Sequence, residues 1–267
     1  MRFYVYTALA SVLIAAAPAM AGPPNAQTIV QGMKGALEPG RPSTRTLVLA
    51  VRAADGFTTE WTARQARKRL PDGNGILTVI LEPDDVKGVG LLIRERKDRP
   101  DEQWMYLPTI RRVRKIIPVG AYESFLGSDF TLADLGFVNL RDRKFSLLGE
   151  ETVAETPAYK VQEVLAGPHF YYSRIVSWVA KDSMLPLRRD YYDAANQLWK
   201  TELYQNTTVV NGVPTVLRIH MEDRQQNTST ELRVSEVGYD ATIPDDLFDP
   251  QRLPQASKHP LWTPTAP

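Results

Sequence analysis

The stretch "WMYLPTIRRVRKIIPVGAYESFLGSDF", residues 104–130, holds most of the side chains that could do chemistry. Four basic residues, Arg111, Arg112, Arg114 and Lys115, are interleaved with Val113, Ile116 and Ile117. Guanidinium forks suit phosphate or carboxylate headgroups, and such a cluster also suits docking on an anionic membrane or partner. The plain alternative is a solvated face. Gly127-Ser128-Asp129 looks like a hydrolase fragment, but a nucleophile elbow needs Gly two residues either side of the Ser, and Leu126 and Phe130 stand there. His169, His220 and His259 are scattered, with no spacing that favours a triad and, in a chain without cysteine, no zinc pattern. Asp84-Asp85 and Asp245-Asp246 are too short for a calcium loop. The residues therefore call for no catalytic centre, metal or cofactor. Ser128 and Asp129 read as a backbone cap and a partner for nearby arginines.

Any such site must work in the compartment the N-terminus dictates. Arg2, an apolar run from Val5 to Ala17 and Ala19-Met20-Ala21 before Gly22 form the three-part pattern of a cleaved export signal, 1–21. Nothing later approaches the roughly 18 uninterrupted apolar residues of a membrane-crossing helix. Removing 1–21 takes away one Arg and no acid, leaving 31 basic against 31 acidic side chains. A neutral domain is a poor general polyanion binder, so nucleic acid is not expected as a partner. With no cysteine, an exported chain must fold on its core alone, and residues 22–267 suffice for one domain.

The elements that position the 104–130 stretch are mostly strands. "NAQTIVQGMKGAL", 25–37, spaces Ile29, Val30, Met33 and Leu37 as a short helix. Leu47, Leu49 and Val51 alternate before an Asp55-Gly56 turn, and Phe57, Thr59 and Trp61 resume after it. "GILTVILEP", "GVGLLIRER" and "EQWMYLP" follow as short strands. The segment 129–137 reads as one or two helical turns, and strands return from "AYKVQEVLAG" to "ELRVSEVGYD". The tail after about Leu253, with four prolines, reads as loosely held. This spacing predicts a curved antiparallel sheet of nine to eleven strands with helices on its concave side.

The blocks "WMYLPTIRRVRKI", "SFLGSDF" and "DL", then "WVAKDSMLPLRRDYYD" and "IPDDLFDP", resemble the outer-membrane lipoprotein-sorting proteins related to the periplasmic carrier LolA. The resemblance runs from about Ala26 to Leu253. It implies a mainly β (α+β) fold: an incomplete antiparallel β-barrel wrapped around short helices, enclosing an apolar cavity for acyl chains. It further implies a periplasmic carrier or chaperone that moves lipid or lipoprotein acyl chains toward the outer membrane with transient membrane contact. The carriers proper are smaller and lack the "GSDF" block. Relatives that have it are associated with inner-membrane lipid exporters of the efflux type, which implies such a partner; an envelope adaptor or sensor without cargo is the alternative. On this reading Trp61, Leu91, Ile93, Trp104, Tyr106, Phe125 and Phe130 face the cavity. Arg111, Arg112, Arg114, Lys115 and Asp129 meet a headgroup or partner.

Overall fold

A computed structural model describes residues 24–136, 140–165 and 171–262. The export signal read at 1–21 lies outside them. One α-helix among these residues, α1 (Ala26–Leu37), starts where the Asn25 side chain accepts the Thr28 amide at 2.9 Å. Its Ile29, Val30 and Met33 are buried, as their spacing predicts.

Thirteen strands follow among the described residues: β1 (Ser43–Arg52), β2 (Thr58–Leu70), β3 (Gly73–Glu82), β4 (Gly90–Arg96), β5 (Glu102–Leu107), β6 (Arg112–Ile116), β7 (Arg143–Val153), β8 (Thr156–Leu165), β9 (Arg174–Ala180), β10 (Pro186–Tyr192), β11 (Leu198–Val210), β12 (Val213–Asp223) and β13 (Thr228–Tyr239). They form a single antiparallel sheet in the order β6-β5-β4-β3-β2-β1-β13-β12-β11-β10-β9-β8-β7. Each neighbour is the next strand in the chain except at β1–β13, where the first strand meets the last. Turn chemistry fixes the hairpins: Asn211 and Gly212 both take positive φ between Val210 and Val213, and Gly56 takes φ 87° in the β1–β2 turn. The two strands beyond the expected nine to eleven, β6 and β7, are the sheet's edges.

The sheet is curled. Leu47, Leu49, Trp61, Ile76, Ile93, Ile175, Tyr191, Met221 and Leu232 belong to one buried cluster although they come from both halves of the strand order. A flat sheet of thirteen strands at roughly 4.8 Å spacing could not bring them together. Because β6 and β7 do not pair with each other, the barrel stays open. On the concave side α1 packs against Val161 of β8 and Val179 of β9.

Two expectations are corrected. The segment 129–136 holds turns and an isolated bridge, Ser124 to Thr131, instead of helix; residue 137 lies outside the described residues. Leu126 and Gly127 take φ of 50° and 76°, which reverses the chain there and prevents a helix from continuing into the segment. The tail is also not loose as far as Trp262, where the described residues end. Three 3₁₀ segments, Asp245–Phe248, Pro250–Lys258 and Pro260–Trp262, strap the convex face of β2 to β6, with Leu247, Phe248, Leu253 and Ala256 buried. Gly75 makes this approach possible, since a Cβ there would come within 2.5 Å of the Phe248 ring. Pro250, Pro254 and Pro260 suit such a strap because 3₁₀ turns tolerate fixed φ where a strand would lose donors.

Candidate functional site

The concave interior is filled in part by the loop 117–136. Phe125, Phe130 and Leu132 enter the main apolar cluster, and the chain folds back on itself through Phe125 N donating to Phe130 O at 2.9 Å. Asp129 anchors the loop to the sheet. Its amide donates to Thr230 Oγ1 at 2.9 Å, its carboxylate accepts the hydroxyls of Thr228 and Thr230 at 2.5 and 2.6 Å, and its carbonyl accepts Lys200 Nζ at 2.6 Å. Thr228 and Thr230 are alternate residues of β13 and so present their hydroxyls on one face.

Beside this loop the sheet leaves a cavity of about 170 Å³. Its wall has an apolar side, with Leu47, Phe130, Leu135, Val216, Leu232 and Val234, and a polar side with Arg45, Gln65, Arg67, Arg143, Arg189, Glu202, Tyr191 and Tyr204. The expected apolar cavity is therefore amphipathic. The polar residues sit on the concave face because strand alternation places them there: Arg45 shares the face of Leu47 and Leu49, and Arg67 that of Ala63 and Gln65.

Most of these charges are satisfied by one another. Fully buried Glu163 accepts from Arg143 at 2.7 Å and Arg189 at 3.4 Å, and Tyr191 Oη donates to Glu202 at 2.5 Å. Burial, ahead of the Arg189 charge that opposes it, raises the Glu202 pKa above the ordinary carboxylate value. Burial likewise pushes the phenols of Tyr191 and Tyr204 well above theirs, and Tyr122 to about 12, so all stay neutral donors.

The residues singled out in the sequence divide sharply. Phe130 lines the cavity. Trp61, Leu91, Ile93 and Phe125 are buried in the concave-side cluster but are not on the cavity wall. Trp104 and Tyr106 are on the opposite face of β5, packed in the cluster under the C-terminal strap, while Met105 and Leu107 face inward. The expectation that Trp104 and Tyr106 border the cavity is thus corrected: alternation gives two faces, and the strap, which the sequence disguised as a tail, claims the aromatic one. Asp129 is buried on threonine hydroxyls and a lysine, with no arginine partner among the described residues, which corrects its assignment to a headgroup site. Ser128 is buried too, its hydroxyl donating to Phe130 O at 3.3 Å. Arg111, Arg112, Arg114 and Lys115 are exposed on the edge strand β6 and the turn before it; Lys115 bonds Glu102 at 2.7 Å. They lie apart from the cavity wall, although Ile110 and Ile117, 53% and 64% exposed, flank them. Reasoning from sequence missed Arg45, Arg67, Arg189 and Glu202. The available signal was a charge at a strand position in phase with apolar neighbours.

A family model described as that of an uncharacterized protein matches residues 72–255, well over half of the chain. The chain belongs to that family. No curated protein matches it significantly. Among solved structures it is similar to a Vibrio parahaemolyticus domain described as outer-membrane lipoprotein-sorting, with a TM-score of 0.81 at 24% identity, covering 86% of this chain and 98% of that one. It is also similar to a DUF1329 family protein from Desulfovibrio piger ATCC 29098, with a TM-score of 0.79 at 26% identity over 85% and 97%. A LolA superfamily protein from Nitrosomonas europaea follows at 0.69 and 19% identity, over 85% and 98%. This member of the family therefore has the open, curved, LolA-like fold that the resemblance implied. Among the described residues no helix is long and apolar enough to cross a membrane.

Proposed function

We propose that the protein is a non-enzymatic carrier or chaperone of the periplasm, exported by its N-terminal signal, that shields lipid or lipoprotein acyl chains on their way to the outer membrane. The observation that carries this reading is the curled sheet whose concave side is covered, among the described residues, by α1, an irregular loop and Tyr172, leaving a cavity with one apolar wall. A second packed sheet or helix layer would have removed that space. The need is large: at about 0.8 kcal/mol per CH₂, a sixteen-carbon chain left in water forfeits roughly 13 kcal/mol. The cavity of about 170 Å³ is below the ~300–1,000 Å³ usual for small-molecule pockets. Loading an acyl chain therefore requires the loop 117–136 to move outward, which breaks the hydrogen bonds of Asp129 and lets the chain take the place of Phe125, Phe130 and Leu132 in the apolar cluster.

The exposed group Ile110, Arg111, Arg112, Arg114 and Ile117 supports a docking role at the sheet edge, toward an anionic membrane surface or an inner-membrane lipid exporter of the efflux type. The same small cavity favours a second reading, an envelope adaptor that docks through this edge and carries no cargo. Mass spectrometry of organic extracts from protein purified out of its native periplasm separates the two. The carrier reading predicts co-purifying acyl lipid at near one per chain. Lipid-free protein that still pulls down a membrane exporter would replace it with the adaptor.

A further inference from the structure

Within the cavity two cations stand apart from the paired network. Arg45 and Arg67 are on adjacent strands, β1 and β2, at the end of the cavity bordered by Leu37 and Glu38 from the C-terminal end of α1. Arg143 and Arg189 face buried carboxylates, but no carboxylate bridges either of these two within the described residues. Arg45 donates to neutral hydroxyls, weakly to Ser43 Oγ at 3.2 Å and to Tyr239, and its Nε is buried without a hydrogen-bond partner. Arg67 spends its donors on neutral acceptors, Gln65 Oε1 at 2.9 Å and Leu37 O at 3.4 Å.

The groups facing this pair are few. Glu38, whose field acts on Arg67, is already bridged to Lys34 at 2.8 Å. The Tyr239 hydroxyl is 3.1 Å from Thr215 Oγ1. A smaller opening of about 30 Å³ shares Leu37, Glu38, Arg45 and Arg67 with the main cavity and is rimmed by Arg41, Lys68 and Arg69. Of those rim cations, Arg41 pairs with Asp240 and Lys68 with Asp245. Burial first, and the neighbouring Arg67 charge second, lower the Arg45 pKa to about 10, and burial lowers that of Arg67; an arriving anion offsets the cost of burying the two charges.

We propose that Arg45 and Arg67 form an anion-binding subsite that takes the acidic head of an amphiphile, a carboxylate or phosphate, while its chain lies along Leu47, Phe130, Leu232 and Val234. Forked guanidiniums match either head bidentately, and a half-apolar wall beside them matches the chain. The assignment rests on the carrier reading and narrows its cargo to acidic lipids.

The test compares palmitate, methyl palmitate and inorganic phosphate, each titrated calorimetrically into purified protein and into an Arg45→Gln/Arg67→Gln variant whose fold is checked by circular dichroism. The expected result is palmitate binding at least tenfold tighter than its methyl ester, with the preference abolished in the variant and the ester's affinity unchanged. If the double variant does not fold, Arg45→Gln alone carries the comparison, because it breaks no ion pair and only hydrogen bonds to the neutral hydroxyls of Ser43 and Tyr239. Equal affinity for acid and ester in the parent overturns the subsite and leaves the carrier reading standing. Binding of phosphate alone, lost in the variant, assigns the pair to a free anion and overturns the lipid head. Binding of none of the three overturns the subsite and the carrier reading together.

Discussion

The two faces of the sheet's first half are closed by different means. On the convex face of β2 to β6, the strap from Asp245 to Trp262 is sealed by apolar contact: Phe248 lies on Gly75, Leu253 on Gly90, and Leu247 and Ala256 fill in between. On the concave face the loop 117–136 also inserts aromatic rings, but it is positioned by the hydrogen bonds of Asp129 and borders a cavity ringed with charge. Dispersion and hydrophobic contacts over a wide area hold the strap, whereas the position of the loop depends on a small set of buried polar contacts as well as on its rings. On the proposed carrier function, the convex side stays shut and the concave side opens.

Breaking the strap is expected to have the largest effect. Phe248→Ala should cost about 3–5 kcal/mol, measured by denaturant unfolding, because the ring is almost wholly buried and Gly75 supplies nothing to fill the gap. Affinity of the folded fraction for lipid should stay as in the parent. Asp129→Ala is next, at about 1–3 kcal/mol, since it removes the acceptor of the buried Thr230 hydroxyl and the half-buried Thr228 hydroxyl. Unlike the strap variant, it should speed amide exchange across 117–136 and raise the on-rate for an acyl ligand; an unchanged exchange pattern in the loop would contradict its role as the anchor. Trp104→Ala sharpens the comparison further. Being half-buried under the strap, it should lose about 1–2 kcal/mol of stability and no lipid affinity, and a loss of affinity would place the ring on the cavity after all.

The smallest expected effects are electrostatic. Glu202 has a folded-state pKa raised by burial, so its contribution is fully present below its unfolded value and declines as pH rises through the folded one. Unfolding free energy measured from pH 4 to 8 should carry that decline in the parent and lack it in Glu202→Gln. Arg111→Gln/Arg112→Gln should leave stability unaltered and weaken attachment to anionic vesicles in low salt only, as expected for exposed charges.

Much of the architecture was legible from alternation and turn chemistry. Asp55-Gly56 and Asn211-Gly212 marked their hairpins, and Ile29, Val30 and Met33 marked α1. The strands that escaped were the two edges. β6 reads as a basic run, and β7, "RKFSLLGEETV", carries Gly149 and three successive polar or acidic-side positions because an edge strand has little core to face. The site was less legible. Alternation established that Trp104 and Tyr106 lie on one face of β5 and Met105 and Leu107 on the other, but which face is inside depends on the strap, a contact between residues more than 130 positions apart. Arg45 and Arg67 went unnoticed since a lone charge in a strand ordinarily faces water. Only the curl of the sheet turns that face inward.

The central claim is that the concave side opens for an acyl chain while the convex side stays closed. Amide hydrogen exchange measured with and without saturating palmitate tests it most directly. The account predicts that exchange changes in 117–136 and around Arg45 and Arg67, with 245–262 unaffected. Altered exchange in the strap, with the loop unmoved, would contradict it.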